Sequence, residues 1–419
     1  MAQRSTPDRR FPALQHRDFR ALWGGTACSS VALWTLLLGN AYTVYHLSDS
    51  SFWVGMSTFA SMSPFLLAPF GGVIADRVER RHLVRATRIG ALICSATLVI
   101  LAGTDVITVW MVIGVALIQG VVRAVEIPAD QALLANVVPQ VHLENAVVLT
   151  TMTQQGSRAV GPILAGPLLA SMGGGGAYLI AAIFAALAFL SVARLQTSSR
   201  GGVTDLRAVT ENLKGGIGYV RRTGPVAAVF VLVIAHCSLT MSFDAMLPGF
   251  AEEELHRGDS GFTVMTFGVG IGALIGTFAL TFLTRLSRGP LFFSVALLSG
   301  VTPLVMAGST NLPAATTSAI LMGSSQSMFM ALSAVLLQEV LPDDVRGRVM
   351  SLYLMVAGGI MAVANLIFAS IADITGAPAL FLFPAVVYLA FLLASTRVGP
   401  YLRVVYRGGV VPIPQPARN

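Results

Sequence analysis

The chain reads as an all-α integral membrane protein, with twelve transmembrane helices in two pseudo-symmetric six-helix bundles. Three observations predict it. Of 419 residues, 55% are hydrophobic and only 11% charged, against about 25% charged in soluble domains. Uncharged runs long enough to cross a bilayer, roughly 20 residues each, recur along the whole sequence. Positive charge is also one-sided. With the N-terminus placed inside and the chain alternating, every lysine and arginine except Arg123, Arg158 and Arg257 falls in the N-terminal stretch, the even-numbered loops or the C-terminal stretch. Arg123 and Arg158 lie within spans, and Arg257 alone faces outside. This is the positive-inside bias, and the reversed threading would place nearly every cation outside.

The spans follow in order. Residues 1–17 form a charged N-terminal tail, and the first two spans occupy the uncharged runs 21–48 and 50–75. Runs 89–104 and 106–122 give the third and fourth. The fifth, around 145–171, carries Arg158, and the sixth ends the run 159–193. The polar segment 195–222 then separates the N-terminal half (18–194) from the C-terminal half (223–397). Leu206, Val209, Leu213, Ile217 and Val220 recur there at three-to-four spacing, which predicts an amphipathic helix lying on the inner membrane surface. Runs 223–243 and 260–284 are the seventh and eighth spans. The run 289–338 is too long for one span and divides at 308–313 into the ninth and tenth. Runs 349–372 and 374–396 complete the twelve, and 398–419 form a second tail on the same side as the first.

The halves repeat. A shift of 203 residues brings Leu134, Val137 and Pro139 onto Leu337, Val340 and Pro342, Gly156 onto Gly359, and Gly173 onto Gly376. Parallel repeats of this kind place a substrate site between two bundles near the bilayer midplane.

Two motifs carry more. Between the second and third spans stands Gly72-Val-Ile-Ala-Asp76-Arg77-Val-Glu-Arg80-Arg81. Gly72 permits close helix approach. Asp76, at a helix end, can pair with an arginine or meet the positive N-terminus of another helix. An ordinary positively charged inner loop is the alternative. The pattern G-x-x-x-D-R-x-x-R-R resembles the signature of the major facilitator superfamily, with Glu79 where many members have glycine. That resemblance implies a twelve-helix transporter in which Gly72, Asp76, Arg77, Arg80 and Arg81 form a conformational latch. In the fifth span, Gly156, Gly161 and Gly166 thin one face while Pro162 and Pro167 remove backbone donors and bend the helix. This segment resembles the Gly-Pro motif of the superfamily's exporters. The run from Pro128 to Pro139 resembles a bacterial exporter subgroup that includes siderophore and macrolide efflux proteins. In the fourth span Gln119-Gly120 is present, but Ala116 holds the place of the superfamily's arginine.

Ionisable groups at membrane depth are functional candidates by default. Arg158 lies about 20 Å into a helix starting near Asn145. It lines a cavity and binds an anion or couples to a protonatable carboxylate, or it holds a static ion pair. Arg123 and Glu126 share a face of the fourth span, so Glu126 pairs with Arg123 or with Arg158 and is a candidate proton carrier. Asp244 precedes a helix break at Met246 to Pro248 and is a second carrier candidate. His236, the one histidine in the middle of a span, suits either a proton relay or neutral packing. Asn40, Gln119, Gln154, Gln155, Gln326 and Asn365 are candidate cavity polar groups. Trp34, Phe59, Met62, Phe243, Met322, Met328 and Met330 are candidate apolar walls, methionine being adaptable to varied ligands.

Several classes are excluded. Lys214 is the only lysine and is followed by Gly215, so no P-loop exists and ATP is not hydrolysed by that route. Cys28, Cys94 and Cys237 fit neither a disulfide framework nor a metal site. No nucleophile–base set, metal or cofactor is implied, and no aromatic-interleaved basic patch points to nucleic acid. The expected function is export of a small amphipathic compound by proton antiport and alternating access. The expected location is the bacterial cytoplasmic membrane, with both termini cytoplasmic, lipids around the helices and a monomer as the working unit. Nutrient uptake by symport on the same fold is one alternative, and a non-transporting membrane sensor or binding protein is another.

Overall fold

The computed structural model describes residues 11–67, 78–197, 206–283 and 287–408. Among them no strand occurs, and fourteen helices of eight or more residues account for the fold. In chain order these are α1 (Arg17–Ser48), α2 (Ser51–Met62), α3 (Arg80–Gly103), α4 (Val109–Val137), α5 (Gln140–Met172), α6 (Gly174–Ala193) and α7 (Leu206–Arg222). There follow α8 (Gly224–Leu239), α9 (Gly258–Leu283), α10 (Arg288–Ala307), α11 (Leu312–Val340), α12 (Asp343–Thr375), α13 (Ala377–Val398) and α14 (Pro400–Gly408).

Ten stretches among the described residues are long and apolar enough to cross a membrane. Two further spans complete the twelve. One is α2, which tightens into a 3-10 turn at Ser63–Leu67 where the described segment ends. The other is α5, whose Thr150, Thr151, Gln154 and Arg158 make it more polar than its neighbours. α7 and α14 are amphipathic and share the end of the molecule that gathers the arginines, here called the basic end.

The internal repeat is visible in the backbone. α5 and α12 each run 33 residues, begin immediately after Pro139 and Pro342, and end at Gly173 and Gly376. Both glycines have positive φ (59° and 76°), which a residue with a Cβ adopts only under strain. α5 is unbroken through Pro162 and Pro167.

Within each bundle, small residues let helices approach. Gly39 of α1 faces Ala177 and Tyr178 of α6, and the Tyr178 hydroxyl donates to the Gly39 carbonyl at 3.3 Å. In α9, Gly268, Gly272 and Gly276 seat against the backbone and side chains of α11, while Gly323 of α11 seats against Val269. Isoleucines and phenylalanines such as Ile93, Ile100, Phe278 and Phe383 are exposed, as helix faces meeting lipid require.

The packing differs between the two ends. In the half away from the basic end, a single apolar core joins both bundles, with Val44, Tyr45, Val54 and Tyr178 packed with Phe243, Phe250, Ala369 and Phe381. In the basic half the cores are separate. One is built on Phe19, Leu22, Val84 and Leu133, and the other on Val229, Phe292, Phe329 and Leu336. The bundles therefore meet at the far end and part toward the basic end.

Candidate functional site

Two helix pairs make the seam between the bundles. α2 packs along α12, and α5 along α9. Glycine sets both approaches. Gly55 of α2 lies against Ala369 and Asn365 of α12, while Gly270 of α9 lies against the backbone of Arg158 and Ala159 in α5. At the far end, Asp373 of α12 accepts hydrogen bonds from the Ser51 N–H (2.7 Å), the Phe52 N–H (3.3 Å) and the Ser50 hydroxyl. Nearby, the Tyr45 hydroxyl of α1 donates to Glu253 at 2.9 Å.

Toward the basic end the bundles enclose a cavity of about 520 Å³. α4 lines it with Ile127, Pro128 and Gln131, and α8 and the turn after it contribute Cys237 and Met241. α11 adds Met330, and α12 adds Ser351, Leu354, Met355, Gly358 and Met361. The walls are apolar and rich in methionine, as fits a site for varied apolar ligands. Of the wall residues named from sequence, Met330 lines this cavity. Trp34 and Met62 line a smaller one of about 60 Å³ with Asn40, Ser57, Ser61 and Asp244. Met322 is fully buried, and Phe243 joins the far-end core.

Arg158 sits at the middle of this seam, about 27 Å along α5. Its guanidinium lies over the Trp34 ring of α1, 4.9 Å from the centroid. The carboxylate whose charge acts on it is Asp244, from the other bundle. Asp244 begins a 3-10 turn (Asp244–Met246) followed by a π turn (Phe250–Glu254), so the seventh span is irregular around it. Its α-helix ends at Leu239, earlier than the Met246 to Pro248 break expected from sequence. The Ser242 hydroxyl bonds the Cys237 carbonyl, an acceptor the break leaves open, and lies within reach of the Met361 carbonyl of α12.

Glu126 does not meet Arg158. It belongs to a buried charge cluster inside the first bundle. Arg88 of α3 is fully buried and bridges Glu126 and Asp130, one turn apart on α4, with 2.6 Å to Asp130. Arg123 adds a third contact to Glu126 at 3.1 Å, and Ser29 of α1 donates to Glu126 at 2.7 Å. Thr26 of α1 donates to Asp130 at 3.2 Å. Read from sequence, Arg88 belongs to the loop before the third span, and the structure corrects this. α3 begins at Arg80, so Arg88 is two turns inside it. The signal was the i, i+4 carboxylate pair Glu126 and Asp130, which needs a buried cation opposite.

The other candidates are dispersed. His236 is fully buried in the second bundle, stacked on Phe329 (3.8 Å between centroids), with Nδ1 within 3.1 Å of the Thr240 and Ser299 hydroxyls. Gln326 donates to the Thr240 carbonyl at 2.9 Å, and Asn365 to the Met361 carbonyl at 3.3 Å. Gln119 is buried in α4, and Gln154 is half-buried in α5. In the α5 motif, Gly161 lies against Trp34 and Thr35, Gly166 against Thr263 across the seam, and Gly156 against Leu274. Pro162 falls between the first two contacts. Of the latch motif, Gly72, Asp76 and Arg77 lie outside the described residues, as does the side chain of Gln155. Arg80 donates to the Ala132 carbonyl (3.4 Å), and Arg81 pairs with Glu79 at 2.7 Å.

Known proteins resemble the chain over most of its length. The staphyloferrin A transporter of Staphylococcus aureus is 23% identical over 337 residues, 80% of this chain and 83% of the relative. Macrolide efflux protein A of Streptococcus pyogenes is 21% identical over 355 residues, 83% and 86% of the two chains. The MFS-type transporter YfiS of Bacillus subtilis is 23% identical over 332 residues, covering 73% and 74%. A POT family transporter solved in complex with 5-aminolevulinic acid superposes with a TM-score of 0.73 over 92% of this chain and 97% of that one. At 13% identity that likeness speaks for the fold. The family model described as transmembrane secretion effector matches residues 9–403, so the chain belongs to that family within the major facilitator superfamily and is a multi-pass membrane transporter rather than an enzyme.

Proposed function

We propose that this protein exports a small amphipathic compound across the bacterial cytoplasmic membrane by alternating access, with inward proton flow as the driving force. One observation carries the reading: the bundles share one core at the far end but enclose an apolar cavity of about 520 Å³ toward the basic end. With the basic end cytoplasmic, as the distribution of arginine favours, the cavity loads from inside the cell. Export rather than uptake is supported by the Gly-Pro pattern of α5 and by a relative named for macrolide efflux.

In this reading Asp244 carries the proton. It stands at the bundle seam, and its charge is opposed by Arg158 of the other bundle. Protonating Asp244 from outside removes an attraction across the seam, and releasing the proton inward restores it. Glu126 instead holds α1, α3 and α4 together through Arg88. Asp373 then acts as a latch at the far end of the α2–α12 pair, with the Asp76 motif as a second latch. The monomer holds the whole pathway.

The test is accumulation of a panel of dyes, antibiotics and siderophores in efflux-deficient bacteria expressing wild type or Asp244→Asn, with and without a protonophore. The reading predicts lower accumulation with wild type, lost with the protonophore and with the variant. Higher accumulation with wild type would overturn export, and protonophore-insensitive efflux would overturn proton coupling.

A further inference from the structure

Arg158 is unusual among the buried arginines of this chain. Arg88 and Arg123 are paired with carboxylates within 4 Å. The Arg158 guanidinium makes no hydrogen bond and no ion pair of that length among the described residues. It is nevertheless at mid-membrane depth, half-buried, and held in place by the Trp34 ring beneath it and the charge of Asp244 across the seam. A guanidinium presents five donors in a fixed fork that fits planar oxyanions. Leaving such a fork without partners at this depth is costly unless a ligand takes it.

The surroundings say where the rest of a ligand goes. The large cavity ends, at its deep side, on Met241 and Met361. Asp244 is three residues beyond Met241. Asp244 itself lines the smaller cavity with Trp34, so the two cavities follow one another along the seventh span, and a ligand that bridges them sets an apolar body among Met241, Met330, Met355 and Met361 and its polar end toward the Arg158–Asp244 pair.

Resting on the export reading above, we propose that Arg158 is an anion subsite and that the transported compound carries a carboxylate or similar oxyanion at one end of an apolar body. The anion takes the free guanidinium donors and replaces Asp244 as the counter-charge of Arg158. Asp244 is thereby released from the seam when substrate binds, so the substrate anion and the ionised Asp244 carboxylate compete for one arginine. A neutral or cationic compound cannot make this exchange.

The test is binding, not flux. Protein in phosphatidylcholine nanodiscs is titrated with two matched sets of probes: phenylbutyrate, phenylbutyramide and phenylbutylamine, and decanoate, decanamide and decylammonium. Calorimetry reads affinity, and Trp34→Phe checks whether any change in tryptophan fluorescence reports on this site. The proposal predicts that the carboxylates bind and the amides and amines do so at least tenfold more weakly. Arg158→Gln should cost the carboxylate tenfold or more, the range of charge-assisted hydrogen bonds. Arg158→Lys should retain part of the affinity, and Asp244→Asn should tighten binding several-fold by removing the competing charge. Equal binding of all three head groups, tighter amine binding, no binding by either set, or carboxylate affinity unchanged in Arg158→Gln would each overturn it. Repeating the titration in phosphatidylglycerol nanodiscs separates a solute site from a lipid site, and loss of carboxylate binding there would assign the fork to a lipid headgroup and overturn the proposal. Failure of the export reading would leave this binding pattern intact, whereas failure here would leave efflux of neutral or cationic compounds standing.

Discussion

The carboxylate of Asp373, in the last turn of α12, accepts the backbone N–H of Ser51 at 2.7 Å, so a helix of one bundle caps the first turn of a helix in the other. The same carboxylate reaches the Phe52 N–H and the Ser50 hydroxyl. The first N–H groups of a helix have no partner within it, and here they are satisfied only while the far end is closed. Closure is thus built into the local chemistry of α2, and opening that end exposes those donors.

Asp373→Ala should therefore favour the state open at the far end. Loss of a cap costs about 0.5–2 kcal/mol, enough to move a two-state equilibrium by roughly two- to thirtyfold. Distance distributions between spin labels at Asp49 and Glu254 should gain a longer component. Tyr45→Phe, which removes the bond to Glu253, should shift the distribution the same way by a smaller amount. An unchanged distribution in both variants would mean that these bonds do not govern closure.

Arg88→Met should destabilise the whole protein. It leaves Glu126 and Asp130 buried without their main counter-charge, a change that typically costs about 3–5 kcal/mol. Melting followed by size-exclusion chromatography should show a large drop, and adding Glu126→Gln and Asp130→Asn should recover much of it. A destabilisation that the added neutral substitutions fail to relieve would show that the cluster does not act through its charge balance.

Two glycines of α9 should separate folding from transport. A Cβ at Gly272 runs into the Ile320 carbonyl within the second bundle, whereas one at Gly270 falls 2.6 Å from Ala159 Cα across the seam. Gly272→Val should lower the melting temperature and the yield of folded protein. Gly270→Val should spare folding more and reduce efflux more, because it wedges α5 from α9. The opposite ordering in melting and accumulation measurements would contradict this division.

Gly358→Trp should block transport with little effect on folding, because Gly358 lines the cavity and the added ring fills part of it. The expected result is accumulation close to that of cells lacking the protein, with melting near wild type.

Much of this fold was legible because membrane spans write themselves in uncharged runs, and because Pro139, Pro342, Gly173 and Gly376 punctuate α5 and α12 identically. The α5 glycines at 161, facing α1, and 166, facing α9 across the seam, were visible for the same reason: a helix approach leaves a missing side chain behind. The partners of the buried charges were not. Arg88 follows Arg80, Arg81 and Arg85, so the sequence offers no sign of where the loop ends and the buried helix begins. Which of two carboxylates faces Arg158 depends on the rotation of α4 and on the irregular turn at Asp244, and neither is encoded in spacing alone. Gln326 and Asn365 illustrate the same limit. Both were expected at the cavity, and both are buried and donate to nearby backbone carbonyls.

The most direct test of the central claim uses everted membrane vesicles, with an imposed proton gradient and a substrate found in the accumulation panel. The account predicts gradient-driven uptake into the vesicles, abolished by a protonophore and by Asp244→Asn. Uptake that ignores the gradient, or that persists undiminished in Asp244→Asn, would contradict it.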